Sequence, residues 1–200
     1  MSSMHLVLHG LAIKKHAGAD DLAGLTGLST EVIGQQLAKA QASGRAVEAQ
    51  GRYLLSPLAR IGLEADYSRH HGSLRRNAAF MDAYEAFERI NVTLKGLITD
   101  WQTIEIAGQH VVNDHRDKAY DAKVINRLGD LHEKAETILA RLAAGSPRLG
   151  HYARQLLSAL EKAEDGAIDW VSDAKIESYH TLWFELHEDL LRIVGRTRSE

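Results

Sequence analysis

Apolar positions recur at helical spacing along most of this chain, and the interruptions mark its architecture. Leu22, Ala23 and Leu25 follow Asp20 and Asp21, which predicts a short helix with acids in the first turn, where the helix dipole favours them. Gly27 ends it. Ser29 or Thr30 caps a second helix over residues 29–43, whose apolar set Ile33, Leu37 and Ala40 forms one buried face before Gly44 stops it. The period then changes: Ala46 to Ala49 and Tyr53 to Ser56 flank Gln50-Gly51, the pattern of a tight β-hairpin. Ahead of all this, MSSMHLVLHGLAIKKHAG reads as a first helix, because His9, Gly10 and two lysines interrupt the apolar run that a secretory signal needs.

Beyond residue 56 strand-like alternation stops. Phe80, Tyr84, Phe87, Leu94, Leu97 and Trp101 hold an apolar stripe over residues 73–104, a helix on the order of 45 Å long at the usual rise. A polar break from Gly108 to Asp117 follows, with Asp117 placed to cap the next helix. Tyr120, Val124, Leu128, Leu131, Ala135, Ile138 and Leu142 then repeat at threes and fours, close to a coiled-coil seam. Gly145-Ser146-Pro147 ends that helix. Leu149, Tyr152, Leu156, Leu160 and Ala163 mark a third, and Ile176, Tyr179, Trp183, Leu186, Leu190 and Ile193 mark a last one that stops at Gly195. Four amphipathic helices on short loops fit an antiparallel bundle, and the longest can pair between chains, so a homodimer is expected.

Composition narrows the class. The chain has 200 residues, 44% apolar and 26% charged, as expected of a globular protein of one or two domains. Cysteine is absent, which removes disulfides, thiolate nucleophiles and thiolate metal sites. No stretch reaches the 18 or so apolar residues that span a bilayer, so no membrane partner is expected and the cytoplasm is the default location.

The run Leu55-Ser56-Pro57-Leu58-Ala59-Arg60, placed after a Gly44-Arg45 stop and a short hairpin, resembles the end of a MarR-type winged helix. There a strand finishes in Leu-Thr-Pro-x-Gly-Arg and enters a helix; here Ser stands for Thr and Ala for Gly. The resemblance covers the first third. It implies a winged helix-turn-helix with a short hairpin wing over residues 1–70; with the all-α antiparallel bundle that the apolar spacing predicts over residues 71–200, for dimerisation or effector sensing, the expected fold is mainly α. It also implies a transcriptional regulator that binds double-stranded DNA. Ser29, Thr30, Gln35 and Lys39 face away from Ile33 and Leu37, and Arg52 lies at the wing tip; Gln35 has the donor and acceptor pair that reads an adenine edge. Residues 1–70 hold seven Lys and Arg against six Asp and Glu, about +1, in a chain of net charge −3, a thin attraction for phosphates.

Chemistry concentrates in the last helix. Ser178 to Asp189 holds the densest group of aromatics and histidines, and Trp101, His132, Tyr179, His180, Trp183 and His187 are the expected lining of a pocket for a small apolar or aromatic effector. Asp130-Leu131-His132-Glu133 and Glu185-Leu186-His187-Glu188 echo one another. Glu177-x-x-His180 sets two metal-binding groups on one helix face, but a carboxylate-bridged site needs more such pairs, so no metal or other cofactor is expected. No nucleophile elbow or phosphate loop occurs, and no catalytic residues are assigned; His180 or His187 as a general base would act without a nucleophile or oxyanion device.

A second function competes with DNA binding. Thr99-Asp100-Trp101-Gln102, Asn113-Asp114-His115 and Ser178 to Asp189 resemble motifs of small actinobacterial proteins that accompany phosphoenolpyruvate-utilising, dikinase-like enzymes. That resemblance implies a non-catalytic accessory subunit or adaptor docked on a partner enzyme, a role suited to the weak basic balance.

Overall fold

In the computed structural model, which describes residues 1–106 and 108–197, the chain is mainly helical and divides into two compact units. The first comprises Met1–Ala78 with Glu185–Glu200, and the second Ala79–Phe184.

The first unit opens with α1 (Ser3–Lys14), capped by the Ser2 hydroxyl, which accepts the His5 amide. α1 is buried on nearly every side: Val7, Leu8, Leu11, Ala12 and Ile13 are in the core, and so is His9. α2 (Ala19–Thr26) starts with its acids in the first turn and ends at Gly27, whose φ of 71° is the left-handed cap that glycine adopts without strain. α3 (Thr30–Ala42) takes Ser29 as its cap and buries Ile33, Leu37 and Ala40. β1 (Ala46–Ala49) and β2 (Arg52–Leu55) form an antiparallel hairpin, Ala46 opposite Leu55 and Ala49 opposite Arg52. At its turn Gln50 and Gly51 both have positive φ, 55° and 76°, the geometry that matches the twist of two-residue hairpins.

One tie was not visible in the sequence. Ala17 and Tyr53 exchange backbone hydrogen bonds of 2.8 and 3.0 Å, so the segment before α2 adds a one-residue third rung to the hairpin. Leu22, Ile33, Leu37, Ala46, Leu55, Leu63 and Tyr67 complete the core together with α1.

α4 (Pro57–Arg75) begins with Ser56 as cap and Pro57 in the first turn, where its missing N–H costs nothing. The expected single helix over residues 73–104 is instead two. α4 stops at Arg75, and α5 (Ala78–Gln102) starts three residues later. The reason is local: Arg76 and Asn77 donate to Ser73 and Leu74, three residues back, which tightens the last turn and ends the helical ladder.

In the second unit α5 is followed by a feature that corrects the all-α expectation, a second antiparallel hairpin of β3 (Thr103–Ile106) and β4 (Gln109–Val112). Its β-branched residues Thr103, Ile104, Val111 and Val112 pair directly, Thr103 with Val112 and Ile104 with Val111, where sequence alone showed only a polar break. α6 (Lys118–Gly145) starts from Asp117, whose carboxylate accepts the Ala119 and Tyr120 amides. A single 3₁₀ turn (Pro147–Leu149) leads into α7 (Gly150–Glu164), then a short α8 (Asp169–Ser172). α9 (Tyr179–Val194) is shared: residues through Phe184 belong to the second unit, and Glu185 onward belongs to the first. Among the described residues no helix is long and apolar enough to cross a membrane.

Candidate functional site

The outward side of α3 is open. Ser29, Thr30, Gln35 and Lys39 are exposed while Ile33, Leu37 and Ala40 hold the opposite face in the core. These side chains are not equally available. The Ser29 hydroxyl is occupied by the Val32 amide at 3.3 Å, so it serves the helix end. Arg52 does not project from the hairpin as an unpaired cation: it meets Asp21 at 2.8 Å and donates to the His16 carbonyl at 2.9 Å. Asp21 also accepts the Gly18 amide at 2.8 Å, which fixes the carboxylate that holds the arginine. The face offered by α3 is therefore polar and nearly neutral, Gln35 and Lys39 beside Glu31, with Arg45 exposed just past its end.

The first unit also holds a buried polar assembly that no local motif marks. His9 is fully buried and bonds in two directions, through Nε2 to the Asp189 carboxylate at 2.9 Å and through Nδ1 to the Tyr67 hydroxyl at 3.0 Å. Asp189 is itself fully buried, so the pair stands in a low-dielectric interior where an unpaired charge would be costly. Arg75 adds a second fastening by donating from Nε to the Ile193 carbonyl at 2.7 Å and from Nη2 to the Arg192 carbonyl at 3.2 Å, which satisfies carbonyls left open at the end of α9. Lys14 and Glu185 add an ion pair at 2.8 Å. Together these contacts bind the last turns of the chain into the first unit.

Beside His9 the rings cluster. The ring centroids of His5 and His70 are 3.9 Å apart, and His71, 1% exposed, lies edge-tilted to both His5 and His9. Burial, then the neighbouring His70 and His9, push the His5 imidazole down to about pKa 4 against a smaller opposing pull from Asp66, so at neutral pH it is uncharged. His5, Asp66 and His70 line a cavity of about 440 Å³ that also reaches Arg45 at the end of α3.

Of the six residues expected to line an effector pocket, His132, Tyr179 and Trp183 lie together in the second unit. Tyr179 and Trp183 are core residues of the second unit; Phe87 stacks on Trp183 at 4.8 Å, and the Trp183 indole N–H donates to Asn91 at 3.0 Å. His132 bonds the Tyr179 hydroxyl through Nδ1 at 3.0 Å and lines a cavity of about 270 Å³ with Glu136, Leu139 and Arg154. Burial lowers the His132 pKa, with Glu136 opposing, and burial raises that of Tyr179. His180 is half-buried on the first turn of α9, and His187 is buried in the part of α9 that belongs to the first unit.

Trp101 has different company. Its ring lies 4.4 Å from that of His115, whose φ of 58° is held by Asn113 accepting the His115 amide at 3.1 Å. His115 Nδ1 stands 3.0 Å from the Asp121 carboxylate, and Asn113 Nδ2 donates to the same oxygen and to the Trp101 carbonyl. The polar run around Asn113 is thus a folded loop tied to the start of α6.

No family model, curated protein or solved structure matches this chain. The functional reading therefore stands on geometry.

The structure also groups residues that a reading of the last helix passed over. Asp66 and His70 are four apart on α4, a ligand spacing legible in Asp66-Tyr67-Ser68-Arg69-His70, but their third neighbour, His5, comes from α1 and has no local signal.

Proposed function

We propose that the first unit is a winged helix-turn-helix that binds double-stranded DNA, with α3 as the recognition helix and β1–β2 as the wing, in a homodimeric regulator. The single observation that carries this reading is the sidedness of α3: its apolar face is closed into the core while Thr30, Gln35 and Lys39 stand in solvent, and a two-stranded hairpin follows it in the chain. An α-helix exposed along one side fits the major groove, and Gln35 supplies the bidentate amide for adenine. The MarR-like run into α4 and the Ala17–Tyr53 rung, which steadies the hairpin against the entry to α2, support the same reading.

Fluorescence anisotropy on labelled duplexes selected from random sequence tests it. Gln35→Ala should cost about 1–3 kcal/mol at one position of the site and relax its specificity, and Lys39→Ala should weaken binding evenly and lower the salt slope by about 1. Arg52→Ala should act chiefly through stability, because Arg52 is committed to Asp21. Failure to bind any duplex at low salt would refute the proposal.

The pairing of Arg52 favours a second reading. With that exposed cation paired to Asp21, the face is poor in unpaired positive charge, which suits an adaptor that docks on a partner enzyme. Capture of one stoichiometric partner by the wild-type chain, lost in Gln35→Ala, would decide for it.

A further inference from the structure

His5 from α1 and Asp66 and His70 from α4 each present one ligand atom, and the three atoms lie within 4.8 Å of one another. Asp66 is exposed and His70 half-buried, so both can turn toward a shared centre; atoms bound to one ion at about 2.0–2.2 Å would sit about 3.5 Å apart in a tetrahedron. His5 is the fixed member. It is 6% exposed, and its Nε2 is buried with no hydrogen-bond partner among the described residues. A buried donor or acceptor left unsatisfied is costly, and a bound ion would give this nitrogen a partner.

We propose that His5, Asp66 and His70 form a binding site for a first-row divalent metal ion of the Zn²⁺, Co²⁺ or Ni²⁺ class. Two imidazoles and one carboxylate are the donors such ions take, whereas Mg²⁺ and Ca²⁺ take oxygen. Three protein ligands leave at least one position for water or an exogenous anion, and the adjoining cavity of about 440 Å³, lined also by Arg45 and Arg69, has room for either. The ion would join α1 to α4. The site stands independently of DNA binding, since none of its ligands belongs to the outward face of α3.

The test is titration of full-length, tag-free protein with CoCl₂, followed by visible absorption and then by displacement with ZnCl₂. The expected result is a saturable cobalt spectrum at one ion per chain, displaced by zinc. Asp66→Asn and His70→Ala, both at partly or fully exposed positions that should leave the helix folded by circular dichroism, should each weaken binding at least about tenfold, the loss that removing even a supporting hydrogen bond produces at metal sites. Glu64→Gln, exposed on the same helix, should leave it unchanged. No cobalt spectrum, full affinity in both ligand variants, or equal loss in Glu64→Gln would each overturn the proposal.

Discussion

Replacing Asp189 by alanine tests whether the buried pair with His9 fastens the end of α9 into the first unit. Both side chains are fully buried, the contact is 2.9 Å, and the partners stand 180 residues apart along the chain. The substitution leaves His9 Nε2 facing the gap without its acceptor and removes a carboxylate that no water reaches. Breaking a buried pair by deleting one partner costs about 3–5 kcal/mol. Against a typical total of about 5–15 kcal/mol, that is a large share. Tyr67→Phe removes only the hydroxyl on the other ring nitrogen and should cost about 1 kcal/mol. Since both act through one imidazole, the double variant should depart from additivity by at least about 0.5 kcal/mol. Urea denaturation followed by far-UV circular dichroism gives the free energies, and hydrogen exchange of amides 185–194 shows whether the loss falls on the end of α9. All three tryptophans, Trp101, Trp170 and Trp183, belong to the second unit, so their emission serves as a separate probe of that unit. A cost below about 1 kcal/mol for Asp189→Ala, with unchanged exchange at the end of α9, would refute the reasoning.

Three further outcomes follow from the same geometry. Because burial lowers the His132 pKa below that of the unfolded chain, the unfolded state takes up the proton first, so stability should fall as pH drops below about 6.5 toward the folded value. His132→Gln should make that part of the stability profile less steep, the share due to His5 remaining, as urea midpoints at a series of pH values would show. Gly10→Ala places a Cβ 2.7 Å from the Leu22 side chain at the α1–α2 contact and should destabilise by about 1–3 kcal/mol; an unchanged melting temperature would mean that Leu22 moves aside freely. Ser29→Ala removes the hydroxyl that accepts the Val32 amide and should cost about 1 kcal/mol, with Ser29→Gly recovering most of it in thermal denaturation.

What the sequence determined by itself is the local layer. The period of Ile33, Leu37 and Ala40, the caps Ser29 and Asp117, and the Gln50-Gly51 turn each depend on residues within about one helical turn of one another, and each element forms where those signals place it. The limits of that layer are equally physical. The stripe from Phe80 to Trp101 marks one helix face but not where the ladder begins or ends, so the break at Arg76–Asn77 was hidden, and β3 and β4 were divided between the end of that stripe and the polar break after it.

Tertiary structure alone decided the chemistry. Arg52 reads as a free wing-tip cation until Asp21 is found beside it, and Trp101 as a pocket wall until His115 covers it. His9 meets Asp189, and His5 meets Asp66 and His70, only because α1, α4 and the end of α9 pack together. Local spacing encodes which face a side chain takes, whereas its partner across the core is set by how distant faces exclude water together.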